Sequence, residues 1–177
     1  MELFARRGYG ETTIEEITAR AGLTPRTFFN YFADKREVLF AGSEQFVEQV
    51  TAGVRSAPRS SAPLDAVLAG YESTSAFFEG RRPFARKRFA LISAHPELHE
   101  RELIKMMSVT AAIVEVLKAR GTAPAAASLA AEAGLAVLRA GFEQWVADKK
   151  DRDLAFHLRA ARRQLEAVIV ARPSARR

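Results

Sequence analysis

Thr12-Thr13-Ile14-Glu15-Glu16-Ile17, Ala21-Gly22-Leu23-Thr24-Pro25 and Phe28-Phe29-Asn30-Tyr31-Phe32, closing on Asp34-Lys35, decide the fold of this 177-residue chain. The spacing predicts two short amphipathic helices that meet at a glycine. Thr12 or Thr13 can cap the first, with Glu15 or Glu16 three residues on to complete a capping box. Ile14, Ile17 and Ala21 fall on one helical face. Gly22 supplies the left-handed backbone that the turn needs. Thr24 caps the second helix and Pro25 is its first residue, because proline is tolerated in a first turn and not deeper. Short helix, tight turn, short helix is how a protein builds a rod for the major groove of DNA.

With Leu3-Phe4-Ala5-Arg6-Arg7-Gly8-Tyr9 ahead of it and Thr27 and Lys35 within it, this stretch resembles the DNA-binding domain of TetR-family bacterial transcription regulators. The match covers about the first 50 residues and joins several spaced elements, which makes it far more specific than a lone glycine pattern. The resemblance implies an all-α protein, with a three-helix head over residues 1–36 and a helical ligand-binding and dimerisation domain over 37–177. Pro25 to Phe32 become the recognition helix, begun by Thr24, with Phe28 and Phe32 as buried pegs. Thr12 or Thr13, Tyr31 and Lys35 are expected on phosphates, fixing the head on the duplex. Arg26, Thr27 and Asn30 are expected at base edges, since arginine can grip guanine and asparagine adenine. Phe29 departs from the family, which often has tyrosine there, so one hydroxyl contact to phosphate is missing. The chain also opens inside the first helix, without the basic segment family members carry ahead of it. The expectation is a reading frame that starts upstream.

The charge does not point to DNA by itself. The chain is +6 overall, with a pI near 10.1, but residues 1–58 hold 7 basic against 8 acidic side chains. The surplus lies behind the head, at 10 against 7 over residues 59–120 and 10 against 6 over residues 121–177. A DNA footprint belongs on the reading element. An alternative therefore stands beside the regulator: a ligand-binding or interaction protein of the same fold with weakened or absent DNA binding. A hydrophobic content of 48% suffices for a proper core. With no cysteine there is no disulfide, thiolate metal site or cysteine nucleophile. Charged residues are expected to interrupt every apolar run before a membrane span of ~20 residues, and nothing resembles a signal peptide. A cytoplasmic protein with no membrane partner is the expectation.

Behind the head the periodicity is helical throughout. One long helix is expected from Asp34 through Val50, and a Pro- and Ser-rich loop follows over residues 55–63. Further helices are expected from Pro63 to Phe78, from Pro83, from Pro96 to Arg120, from Pro124 to Val146 and from Arg152 to Ala171. On the last two, Leu129, Ala133, Val137 and Ala140, flanked by Gly134 and Gly141, and Leu154, Leu158, Ala161 and Leu165 form stripes. Such stripes suit a four-helix homodimer interface, or cover the protein's own core. One short recognition helix reads too few base pairs, which favours a two-fold pair.

Large apolar side chains crowd the middle helices. They are core, or some line a cavity for an apolar effector, and Phe84, Arg88, Phe89, Ile92, Met106, Thr110, Phe142 and Trp145 are the candidate lining. The basic run Arg81 to Arg88 is a solvated face or the mouth of such a pocket, receiving an anionic head group. Arg86 to Ile92, with Pro96-Glu97-Leu98 and Arg101, is similar to a branch of TetR regulators associated with acyl-CoA-like ligands. His95 and His99 stand four apart, but Pro96 places His95 at a helix cap and spoils a shared zinc-binding face. No constellation calls for a cofactor, a metal or catalysis.

Overall fold

The structure is a computed structural model that describes residues 2–170. The head holds α1 (Glu2–Arg7), α2 (Ile14–Ala21) and α3 (Pro25–Phe29). A 3-10 segment over Lys35–Phe40 leads to α4 (Ser43–Ser56), α5 (Pro63–Ser73), the single turn α6 (Ser75–Phe78) and α7 (Arg82–Ala94). Then come α8 (Pro96–Ala119), α9 (Pro124–Ala147) and α10 (Leu154–Val170). Among the described residues there is no strand. The end of the expected last helix, Ala171, lies outside them.

The caps in the head are local and fall where side-chain chemistry puts them. Thr13, not Thr12, closes the capping box, with Glu16 as its partner. Gly22 ends α2 at φ 67°, and the Leu23 amide donates to the Thr18 carbonyl. Thr24 accepts from the Thr27 amide, and Pro25 opens α3.

The single helix expected from Asp34 to Val50 is instead broken in two. The Asp34 carboxylate accepts from the Arg36 and Glu37 amides and starts a tight 3-10 turn. Ala41 is extended, and Gly42 at φ 89° sets a new direction before α4 begins. The helix expected from Pro63 to Phe78 pauses at Thr74, whose hydroxyl donates to the Tyr71 carbonyl.

The body is built around α9, which packs on α5, α7, α8 and α10. By length and composition α9 could cross a membrane, although Glu132, Arg139 and Glu143 interrupt its apolar run. Its apolar positions are used inside the protein: Ala127, Ala131, Leu135, Leu138, Trp145 and Val146 lie in the main core. Close approach sets the packing. Gly53 of α4 meets Gly70 of α5, where an added Cβ on Gly53 would lie 2.8 Å from the Gly70 Cα.

The stripes expected to form a dimer face largely close onto the protomer. Val137 and Ala161 pack with Leu68 of α5, while Leu154 and Leu158 enter the main core. Each buried leucine contributes about 1.5–3 kcal/mol to the protomer. Gly134 sits under Val67, and Gly141 lies against the Leu158 backbone, so both glycines serve contacts within the chain. Ala133, Ala140 and Leu165 are half-buried. Only Leu129 of that set stands free, at 72% exposure.

Candidate nucleic-acid interface and effector site

α3 presents a narrow outward ridge. Phe28 is buried and stacks edge-on with Phe29 and obliquely with Phe32, at centroid distances of 5.5 and 5.2 Å. That peg leaves Thr24, Pro25, Arg26, Phe29, Asn30 and Tyr31 exposed, Tyr31 at 76%. Thr27 is half-buried, its hydroxyl 3.0 Å from that of Thr24. No described carboxylate pairs with Arg26, which leaves its guanidinium available to an incoming acceptor.

Two expected phosphate contacts face inward in this arrangement. Thr12 is 1% exposed and donates to the Gly8 carbonyl at 2.7 Å. The Lys35 ammonium donates to the carbonyls of Tyr9, Gly10 and Thr12 at 2.7, 3.1 and 2.8 Å. All three of its protons are thereby engaged, and it also lies 4.4 Å from the Tyr9 ring centroid. Lys35 ties the turn after α1 to the start of the 3-10 segment. Lys35→Met, which keeps the stem and removes the donors, is expected to remove about 2–4 kcal/mol of head stability. Hydrogen exchange at the amides of residues 8–13 checks this; protection equal to wild type would refute the brace.

The head sits on the elbow between α7 and α8. Ile92 and Leu98 join Phe4, Tyr9, Leu39 and Phe40 in one buried cluster. His95, at the cap of α8, sets its ring 5.3 Å from that of Tyr9. Arg88 donates from Nε to the Leu39 carbonyl at 2.8 Å and from both Nη atoms to the Glu102 carboxylate at 3.2 and 2.8 Å. Its guanidinium also lies 5.1 Å from the Phe40 ring centroid. Glu37 bridges Arg101 at 2.6 Å and Lys105 at 3.2 Å. The Arg101 hydrogen bond, aided by Lys105, holds the Glu37 carboxyl below its ordinary pKa. Arg88 and Ile92, expected in the effector site, therefore belong to the joint between head and body. Helical spacing alone does not name the element that covers either residue.

Of the remaining effector candidates, the structure gathers four. Phe89, Met106 and Phe142 are half-buried against the main core, which contains Trp145. Phe142 lies 5.4 Å from Trp145 and 6.2 Å from Phe89, while Phe78 lies 5.8 Å from Phe142 and 6.4 Å from Phe46. Phe84 faces solvent at 52% exposure. Thr110 is buried with no partner for its hydroxyl, and the buried Tyr71 hydroxyl is in the same condition.

The basic run is bracing rather than a pocket mouth. Arg82 donates to the Arg152 carbonyl and lies 5.3 Å from the Trp145 ring centroid. Arg86 donates to the Val146 and Asp148 carbonyls, satisfying the end of α9 as basic side chains do at helix C-termini. There Asp148 binds Arg152 and His157. The Arg152 hydrogen bond, with the Lys150 amide and His157, holds its carboxyl far below the usual range. His99, the other half of the expected histidine pair, is exposed.

The family model for bacterial regulatory proteins of the TetR family matches residues 1–41, and that for the MftR C-terminal domain matches residues 61–170. The HTH-type transcriptional regulator TcmR of Streptomyces glaucescens is 34% identical over 73 residues, covering 41% of this chain and 32% of that protein. The putative mycofactocin biosynthesis transcriptional regulator MftR of Mycobacterium tuberculosis is 28% identical over 98 residues, covering 55% of this chain and 50% of that one. The chain thus aligns with a third to a half of these curated relatives. Among solved structures, the Thermus thermophilus TetR-family repressor FadR, in complex with lauroyl-CoA, superposes with a TM-score of 0.60 at 23% identity, covering 100% of this chain and 94% of that one. A transcriptional regulator from Aquifex aeolicus gives a TM-score of 0.52 at 18% identity, covering 94% and 93%. These likenesses establish the fold. With its head and more than half of its length matched by models of one family, this chain belongs to the TetR family of bacterial transcription regulators.

Proposed function

We propose that the protein is a cytoplasmic, ligand-responsive repressor that binds operator DNA as a homodimer and lets go when an apolar, acyl-type effector enters its body. The observation that carries the DNA half is the ridge of α3: a capped helix pinned by Phe28 that holds Arg26, Asn30 and Tyr31 in solvent. Arg26, Thr27 and Asn30 read bases, while Thr13, Thr24 and Tyr31 meet phosphates. A five-residue helix reads few base pairs, so two copies reading two half-sites fit better than one. Leu129, Val168 and Ile169 remain exposed on the outer faces of α9 and α10 and supply apolar area for that pairing.

The effector half rests on the half-buried aromatic cluster between α4, α6, α7 and α9, beside a core with two unpartnered hydroxyls. Rings at a core edge can part for a flexible chain more readily than a sealed interior can. The acyl ligand in the FadR structure makes lauroyl-CoA a fitting probe. The effector shifts the equilibrium only by its difference in affinity for the two states of the head.

Genomic footprinting followed by gel-shift titration tests this, with and without lauroyl-CoA. Arg26→Ala and Asn30→Ala are each expected to lose about 1–3 kcal/mol of discrimination at one position per half-site. Unchanged preference would remove these residues from base reading. If the chain protects no DNA at all, the non-DNA-binding alternative takes over.

A further inference from the structure

Between the C-terminal parts of α4 and α8 lies an open groove of about 580 Å³. Val47 and Thr51 of α4 and Ala112, Val116 and Ala119 of α8 form its walls, and Arg55, Arg59 and Arg120 gather at one end. Val116 belongs to the main core and Val47 packs against it, so the apolar floor is the outer wall of the core itself. Glu115 is the one acidic lining residue, and it pairs with Lys118.

The arginine end is partly built. Arg120 donates from Nη1 to the Arg55 and Ala57 carbonyls and from Nη2 to the Pro58 carbonyl, all within 3.0 Å. These bonds hold the guanidinium rigid and leave its Nε–H and one Nη2 proton unused among the described residues. Arg55 and Arg59 are exposed, and no described carboxylate pairs with either. Three guanidinium groups at the end of an apolar trough match a ligand with a phosphate head and a hydrocarbon tail. Planar forks bind phosphate oxygens in pairs, and the trough covers part of a chain.

We propose that this groove docks the phosphate-bearing end of the effector, with Arg55 and Arg59 closing on the phosphates beside the fixed Arg120, and the acyl chain running over Val116, Ala112 and Val47 toward Phe46. This deepens the effector reading above and rests on it. α4 is the direct continuation of the 3-10 segment that leaves the head, so a ligand wedged along it acts on the element that carries the reading helix.

The test is calorimetric titration of the full chain with lauroyl-CoA, laurate and coenzyme A separately, for wild type and for an Arg55→Ala/Arg59→Ala variant. Both side chains are exposed, so the variant is expected to melt as wild type does. Lauroyl-CoA affinity is expected to fall at least ~10-fold in the variant, and coenzyme A affinity with it, while laurate binding stays unchanged. Equal lauroyl-CoA affinity in both proteins overturns the groove and leaves the acyl effector standing. Laurate binding wild type as tightly as lauroyl-CoA does also overturns it, because the phosphate then contributes nothing. No binding of any probe to wild type removes the acyl-effector reading, and the groove assignment falls with it. An Arg55→Lys/Arg59→Lys variant separates charge from fork geometry; it should recover only part of the affinity.

Discussion

Replacing Gly70 with valine is expected to destabilise the body by about 3 kcal/mol or more, with alanine at the same position near 2 kcal/mol. On propensity alone the sign would be opposite, since alanine in a helix interior is better than glycine by about 1 kcal/mol. Space decides it. A Cβ on Gly70 would lie 2.6 Å from the Val54 Cγ2 and 2.7 Å from the Val50 carbonyl oxygen. Val50 and Val54 are fully buried, and a carbonyl cannot swing away as the end of a long side chain can. The helices α4 and α5 must therefore move apart, opening the contact with Gly53 on the facing side. For a chain of this size, about 2 kcal/mol lowers the melting temperature by roughly 4–8 °C. Gly10→Ala is the control, because a Cβ there meets nothing within 4 Å and its φ is not left-handed. If both variants melted together, the close crossing of α4 and α5 would be wrong.

That crossing shows what sequence can and cannot disclose. The caps at Gly22 and Thr24 were legible, and that of α2 to within one residue, Thr12 or Thr13, because capping is decided within four residues by side-chain chemistry. The break at Gly42 was not, because apolar residues continue at helical spacing on both sides and hide the change of direction. Lys35 reads as a free basic residue until its acceptors are known. They are backbone carbonyls 23 to 26 residues upstream, which no side-chain pattern encodes. Leu154, Leu158 and Ala161 illustrate the same limit. Their spacing states that one face of α10 is covered, while only the packing of α5 and α9 against it states by what. A glycine facing Val67 and a glycine facing a second copy look alike in sequence.

Arg88 carries the second large effect. Under the function proposed above, Arg88→Ala is expected to leave effector binding intact and to abolish most of its influence on DNA, because the change falls in the joint rather than in either proposed site. The side chain joins three parts: the Leu39 carbonyl and Phe40 ring from the 3-10 segment, and Glu102 from α8. Removing it leaves Glu102 unpaired and the Leu39 carbonyl without this donor, which loosens the head from the α7–α8 elbow. Coupling between sites is worth about 1–3 kcal/mol in general, so the effector-induced drop in operator affinity should shrink by roughly 5–150-fold. Measuring operator affinity with and without lauroyl-CoA gives the coupling directly. A Glu102→Gln variant should share the loss, and the double variant should add little to either single change. The second tie, Glu37 with Arg101 and Lys105, should hold steady from about pH 6 to about pH 8. Its folded pKa is lowered, so its contribution is present above the ordinary glutamate value of ~4.3 and lost only as pH falls through the lower folded value. Hydrogen exchange at residues 36–40 gives an independent reading, with faster exchange expected in Arg88→Ala. Coupling and exchange both equal to wild type would mean that the elbow only supports the head and transmits nothing.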